Sequence, residues 1–164
     1  MEDALNTDKF VVKYCKGKYI GDDTIKKVIK YIFDDKEVQT KRKCLNIVGA
    51  IGTPTNNIED IINDFAKVKK IYNKTDKKQV EHIILSFNNY PDIDNYNKYR
   101  KLIVKTASFW GKNTQIAYAL HEDKKNLHIH FVLNTIQFNG KRLDTYKKWD
   151  KFVKYCHKVW DSYL

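Results

Sequence analysis

Residues 115–135 read QIAYALHEDKKNLHIHFVLNT, and this stretch decides the fold that we expect. Apolar and polar residues alternate on both sides of a polar segment, residues 122–125, which predicts two β-strands joined in a hairpin. Side chains two residues apart on a strand point to the same face, so His128 and His130 share one face of the hairpin. If residue 128 pairs with residue 121, His121 joins that face. The stretch therefore predicts three imidazole rings close together.

Three neutral imidazoles are typical ligands of a divalent metal that keeps open coordination positions and polarises an oxygen during catalysis. If only two histidines shared this face, we would interpret them as exposed or hydrogen-bonded side chains. A third histidine, on the neighbouring strand in the register of the hairpin, favours a metal site. Asp123 lies in the connecting turn, where its carboxylate can orient one ring. Ala117 and Ala119 are small and are expected to leave room above the site. The predicted metal ligands are His121, His128 and His130.

Segments of helical and strand periodicity alternate along the rest of the chain. Apolar residues recur at helical spacing in residues 22–33, 58–72, 96–109 and 147–164. Alternating or β-branched runs predict strands over residues 10–14, 45–51, 80–87, 115–121 and 126–135. Asn56 or Asn57 is suited to cap the second helix. The pattern predicts an α+β fold, with a central, mainly antiparallel sheet flanked by helices and one face open to a ligand.

The size and charge of the chain narrow its class. It has 164 residues, 42% of them apolar, and a formal net charge of +11. We expect a single domain over residues 1–164, because no repeat or boundary interrupts the sequence. The last predicted helix ends without Gly or Pro, so the chain can also be the N-terminal part of a longer protein. The excess of lysine favours a polyanion partner such as nucleic acid, although it also serves solubility.

Cysteines and hydropathy bear on the cellular compartment. The three cysteines are odd in number and far apart, which predicts neither a disulfide framework nor a thiolate zinc site. No stretch has the length and hydropathy of a membrane span, and the first residues lack the pattern of a secretory signal. We therefore expect a cytoplasmic protein without membrane insertion.

The histidine motif resembles that of a known family. The pattern H-x-D-x4-H-x-H-x3-N, from His121 to Asn134, resembles the metal motif of the P-type mobilisation relaxases of the HUH endonuclease superfamily. Residues 82–87 (HIILSF) resemble the H-x3-S-F strand of that family, whose serine lies near bound DNA and maps to Ser86. Residues 28–35 (VIKYIFDD) are similar to the helix with the nucleophilic tyrosine, which maps to Tyr31. The resemblance covers most of residues 24–164.

The helical wheel agrees with Tyr31 independently of the family. Ile25, Val28, Ile29 and Ile32 cluster on one side of the predicted helix, while Tyr31 falls at its margin toward the lysines and can expose its hydroxyl. A phenol has a pKa near 10, so its attack on a phosphodiester needs a metal to neutralise the phosphate. The residues expected to contact DNA are Ser86, Asn134, Lys26, Lys27 and Lys30.

The resemblance implies a reaction and its partners. Tyr31 would attack one phosphodiester of single-stranded DNA at an origin of transfer, give a 5′-phosphotyrosine and later rejoin the strand, with Ser86 and Asp123 as further catalytic residues. The family implies magnesium or manganese, whereas three imidazoles also suit zinc, nickel or copper. It also implies conjugative mobilisation of a plasmid or integrative element, with accessory mobilisation proteins and a secretion coupling protein.

The sequence is also compatible with other nucleophiles and other classes of protein. Tyr155, in the sequence YCHK, resembles the Tyr-x-x-Lys helix of rolling-circle replication initiators, which are also HUH enzymes. Tyr14 and Tyr19 are further candidate nucleophiles without a helical setting. A DNA-binding module that does not cut and a small zinc hydrolase unrelated to DNA are the alternatives from other classes. We expect His82 and His157 to be structural, hydrogen-bonded histidines.

Overall fold

A five-stranded antiparallel sheet runs through the protein, whose computed structural model describes residues 9–34, 47–88, 96–122 and 126–164. The strands are β1 (Phe10–Tyr14), β2 (Val48–Ile51), β3 (Val80–Phe87), β4 (Ile116–Glu122) and β5 (Leu127–Asn134). They lie in the order β1-β3-β5-β4-β2, and every neighbouring pair is antiparallel. The expected α+β class is confirmed. Residues 45 and 46 of the predicted second strand, like Asp123, lie outside the described residues.

Four helices flank the sheet in the part of the chain that the structure describes. They are α1 (Thr24–Asp34), α2 (Ile58–Ile71), α3 (Tyr96–Ala107) and α4 (Thr145–Trp160). Asn57 caps α2 by accepting a hydrogen bond from the backbone N–H of Asp60 at 3.2 Å. Asp144 caps α4 in the same way, so this helix begins earlier than the apolar periodicity predicted. None of the helices in the described ranges is long and apolar enough to cross a membrane.

The register of the central strands brings the predicted site together. His121 is paired with His128, and Ala119 with His130, as the sequence predicted. On the other side of β5, Ser86 of β3 is paired with His128. Directly paired residues point to the same face of a sheet. One face of β3, β5 and β4 therefore carries the histidines and Ser86, and we call it the histidine face.

Among the described residues, two helices cover each face of the sheet. On the face opposite the histidines, apolar side chains of β1, β3, β4 and β5 form the larger core with α3 and α4. On the histidine face, Ala117, Ala119 and Val132 pack in a second core with apolar residues of α1 and α2. The expectation of room above Ala117 and Ala119 was wrong, because both side chains are fully buried in this core. The small side chains of Ala117 and Ala119 let α1 pack closely on the sheet, so α1 fills the space above them.

A buried lysine lies in α2. Lys69 is 1% exposed, and its Nζ donates a hydrogen bond to Oγ1 of Thr135 at 2.9 Å. Burial, and to a smaller extent the positive charge of Arg142, lowers the pKa of Lys69 to about 7. A group whose pKa is lower in the folded than in the unfolded chain makes stability rise with pH between the two pKa values.

Lys69→Met is therefore expected to stabilise the fold by about 1 to 3 kcal/mol at pH 7, because methionine fills a similar volume without a charge to bury. Urea unfolding of both proteins from pH 7 to pH 10 should show the wild type gaining stability relative to the variant. Lys67→Met, at an exposed position one half-turn away, is the matched control and should change little. A less stable Lys69→Met protein would contradict the assignment.

Candidate active site

Tyr31 lies on α1 at the position that the helical wheel predicted. Its side chain is 53% exposed, while Ile29 and Ile32 beside it are fully buried. The Tyr31 ring lies edge-on to the histidine rings, with centroid distances of 5.8 Å to His130 and 6.2 Å to His121. A helix that packs on the sheet through one side thus presents this phenol to the histidine cluster and to solvent.

The three predicted ligands converge. One ring nitrogen each from His121, His128 and His130 can be chosen so that all three atoms lie within 4.8 Å of one another. His121 and His130 are buried, whereas His128 is half-buried, so the cluster is approached from the His128 side. Three imidazole nitrogens at this spacing can hold one divalent ion and leave positions for oxygen ligands.

His121 is tied to the helix that carries Tyr31. Its Nε2 donates a hydrogen bond to the backbone carbonyl of Ile32 at 2.7 Å. The last four carbonyls of a helix lack partners within the helix, so His121 satisfies one of them in α1. With the proton on Nε2, the lone pair of the His121 ring lies on Nδ1, which is the nitrogen available to a metal.

The hydrogen bonding of His130 is a second indication of a metal site, after the convergence of the three rings. Its Nδ1 lies 2.8 Å from Nε2 of His82. Its Nε2 is buried and has no hydrogen-bond partner among the described residues. An unsatisfied buried polar atom costs about 1 to 3 kcal/mol, and a bound cation would remove that cost. The residues present therefore fit a divalent metal.

The protonation states of these rings suit ligation. Burial, reinforced by the neighbouring His121, lowers the pKa of His82 to about 4. Burial and the three neighbouring imidazoles also lower the pKa of His130 well below its ordinary value. Both rings are therefore neutral at neutral pH, and a neutral imidazole is the form that binds metals.

The other predicted site residues occupy different environments. Ser86, half-buried and paired with His128, lies at the accessible end of the cluster. Lys26 is exposed on α1. Lys27 forms an ion pair with Asp23 at 2.5 Å, and Lys30 forms one with Glu59 at 3.1 Å, so acids partly compensate both charges.

Asn134 requires a correction. Its side chain is fully buried, and Nδ2 donates hydrogen bonds to the carbonyl of Phe65 at 3.1 Å and to Oε1 of Gln115 at 2.8 Å. The expected contact of Asn134 with DNA does not hold for such a position. The amide instead joins β5 to α2 and to the residue preceding β4, because a buried amide needs hydrogen-bond partners within the protein.

Tyr155 lies on the wrong side of the sheet to act on a phosphate at the histidines. It belongs to α4, and its hydroxyl donates a hydrogen bond to the carbonyl of Lys105 at 3.0 Å. Its ring packs against Phe109 in the core opposite the histidine face. Tyr14 is also engaged elsewhere, because its hydroxyl donates to the carboxylate of Glu81.

Two further residues lie behind the predicted ligands. His82 was expected to be hydrogen-bonded, and it is, but its partner is His130 itself. Tyr19 lies behind it, with its hydroxyl 3.2 Å from Nδ1 of His82. The position of His82 on the same strand face as Ser86 was a usable signal. The sequence offered Tyr19 only as an alternative nucleophile, and its contact with His82 could not be predicted because the chain between β1 and α1 has no periodicity.

The comparison with protein families agrees with the geometry. In this α+β fold, a helix places a tyrosine beside three converging imidazoles on an antiparallel sheet. This arrangement defines a class of protein suited to metal-assisted attack on a phosphate. The family model described as "Relaxase: MobA/VirD2-like, nuclease domain" matches residues 31–163. None of the curated proteins compared with the chain matches it. The chain belongs to the relaxase family of the HUH superfamily, whose members are DNA-nicking nucleases.

Proposed function

We propose that this protein nicks one strand of DNA by transesterification, with Tyr31 as the nucleophile, during conjugative mobilisation of a plasmid or integrative element. The observation that carries the proposal is the half-exposed Tyr31 ring beside His121 and His130. No other tyrosine of the described residues combines exposure above half with ring contacts to these two histidines.

The proposed reaction exchanges one phosphodiester for another. The Tyr31 oxygen forms a bond to phosphorus, the bond from phosphorus to the 3′ oxygen breaks, and the phenol proton is lost while the departing 3′ oxygen gains one. The products are a 5′-phosphotyrosine and a free 3′-hydroxyl. Because a phosphodiester is conserved, attack by a 3′-hydroxyl on the adduct rejoins the strand without ATP.

Side chains of this protein are placed to hold a metal ion and to support the nucleophile in this reaction. A divalent metal held by His121, His128 and His130 would, when bound, neutralise charge on the scissile phosphate. The hydrogen bond from His121 to Ile32 supports Tyr31 from the next residue of its helix. We propose manganese or magnesium for nicking, since phosphate and water oxygens complete the ligand set, although softer ions such as zinc, nickel or copper suit the imidazoles.

We further propose that Ser86 contacts the bound strand near the nick, because it lies at the accessible end of the cluster. Lys26, Lys27 and Lys30 would contact phosphates along α1, and Asp123, by resemblance, would act beside the histidines. Accessory mobilisation proteins and a secretion coupling protein complete the proposed partners of this cytoplasmic reaction.

The direct test is a covalent adduct. Labelled single-stranded oligonucleotides of randomised sequence, incubated with the protein and Mn²⁺, should yield a complex that survives boiling in detergent. A DNA-binding module without activity would bind the strands and leave them uncut. A zinc hydrolase unrelated to DNA would neither cut nor retain them.

Chelation of metal is expected to stop nicking and to leave most of the DNA affinity, because 31 lysine and arginine side chains attract phosphates without it. Affinity should fall steeply with salt, with a logarithmic slope of about 0.7 per neutralised phosphate on a single strand. Filter binding with and without chelator, at several salt concentrations, measures the DNA affinity that remains and its dependence on salt. A complex insensitive to salt would contradict the role of the lysines.

Replacing Lys26, Lys27 and Lys30 together with alanine should reduce that slope by about 1 to 2, less than the full value because two of them pair with acids. The matched control replaces three exposed lysines of α4, on the far side of the sheet, and should leave the slope nearly unchanged. These control residues are Lys148, Lys151 and Lys158.

A further inference from the structure

A chain of hydrogen bonds extends from the metal site into the protein. It begins at Nδ1 of His130, which lies 2.8 Å from Nε2 of His82. It continues from Nδ1 of His82 to the hydroxyl of Tyr19, 3.2 Å away. His82 and His130 are buried and Tyr19 is half-buried, so protein atoms largely replace water around this chain. Each ring nitrogen of His82 thus has one specific partner.

The backbone between β1 and α1 is shaped to hold Tyr19 in this place. Tyr19 has a φ of 46°, in the left-handed region that residues with a Cβ rarely adopt. A Cβ on Gly17 would lie 2.6 Å from the Tyr19 ring, so only glycine lets the ring fold back there. The backbone N–H of Gln79 donates to the carbonyl of Tyr19 at 2.8 Å and fixes the turn against the segment before β3.

The order of the protons along this chain decides whether His130 can bind a metal. A neutral imidazole has one protonated and one unprotonated nitrogen. If His82 donates to Nδ1 of His130, the proton of His130 lies on Nε2, and that nitrogen cannot be a ligand. If Nδ1 of His130 donates to His82, Nε2 of His130 carries the lone pair. His82 then donates from its own Nδ1 to the oxygen of Tyr19.

We infer that His82, held by Tyr19, is a positioning residue that keeps His130 in the tautomer whose Nε2 binds the metal. This inference rests on the metal site of the proposed function. The ring nitrogens of His130 are already divided between the two tasks, since Nδ1 faces His82 and Nε2 has no protein partner among the described residues. Hydrogen-bond acceptors behind ligating histidines fix ring orientation and raise ligand basicity in the same way.

A merely structural His82 would behave differently. It would support folding through its buried contacts, and its loss would lower stability without changing the metal affinity of the molecules that remain folded. A positioning role instead ties metal affinity to an acceptor at this position. Glutamine offers a carbonyl oxygen that can accept from Nδ1 of His130, whereas alanine offers none.

The test is calorimetric titration of the intact chain with Zn²⁺ alone, without DNA. His82→Ala should bind zinc about 10-fold to 100-fold more weakly, and His82→Gln should recover most of the loss. Tyr19→Phe, which removes the acceptor behind His82, should bind more weakly than wild type but more tightly than His82→Ala. The matched controls, His157→Ala and Tyr14→Phe, should bind as wild type. Circular dichroism confirms that each variant is folded.

Nitrogen NMR of the imidazole rings in the zinc-loaded wild type tests the same inference without a substitution. We expect a proton on Nδ1 of His130 and on Nδ1 of His82. A zinc-loaded His130 ligated through Nδ1, or zinc affinity unchanged in both His82→Ala and Tyr19→Phe, would overturn the positioning role. A wild type that binds no zinc would overturn the metal site together with it. Binding without any DNA nicking would overturn the proposed function alone.

Discussion

The Tyr31→Phe protein is expected to form no covalent adduct with single-stranded DNA, a loss of at least about a thousandfold, while its DNA affinity stays nearly unchanged. The hydroxyl is the proposed nucleophile, and phenylalanine has no atom at this position that can form a bond to phosphorus. Affinity depends instead on phosphate contacts spread over a surface of charge +11. Gel detection of the detergent-resistant complex measures the adduct, and filter binding measures the affinity.

Tyr155→Phe is the matched control and should nick as wild type, because Tyr155 packs on the opposite side of the sheet. Its loss of activity would favour the replication-initiator alternative. Adduct formation by Tyr31→Phe would move the nucleophile to another tyrosine, with Tyr19 the nearest candidate through its contact with His82.

His130→Ala is expected to weaken the binding of a single divalent ion per chain by more than about 100-fold, beyond the range typical of residues that only support a ligand. The reason is geometric, since His130 supplies one of three nitrogens that lie within 4.8 Å of one another. His128→Ala should act similarly. Zinc should bind more tightly than manganese because imidazole prefers softer ions, whereas manganese should support nicking better.

His157→Ala is the control for this experiment, because His157 lies on α4, away from the histidine face, with its Nδ1 3.1 Å from Oδ2 of Asp161. It should bind zinc and manganese as wild type. Equal metal affinity in His128→Ala and wild type would remove the metal site and most of the proposed mechanism.

The sequence predicted the parts of the site that follow from strand and helix periodicity. Pairing of His121 with His128 needed only the alternation on both sides of a polar turn. The exposure of Tyr31 needed only the helical wheel. Both predictions rest on local geometry that repeats along an element, so the residues themselves carry the information.

The remaining features depend on contacts between distant segments. The hydrogen bond from His121 to Ile32 joins residues 89 positions apart, and that from His82 to His130 joins residues 48 apart. Tyr19 reaches His82 through a left-handed backbone conformation that tyrosine rarely adopts. Asn134 was assigned to DNA from the motif, but burial by α2 decides its partners. Periodicity predicts on which face of a strand or helix a side chain lies, but it does not predict which other segment packs against that face.

The site of covalent attachment tests the central claim most directly. After reaction with randomised single-stranded DNA and Mn²⁺, the adduct can be trimmed by nuclease, digested with trypsin and analysed by mass spectrometry. Lysines at positions 18, 30 and 154 precede Tyr19, Tyr31 and Tyr155, so each of these tyrosines falls in a separate peptide. We predict a nucleotide remnant on residues 31–36. A remnant on residues 155–158 or 19–26, or strands cut without any attached peptide, would contradict the account.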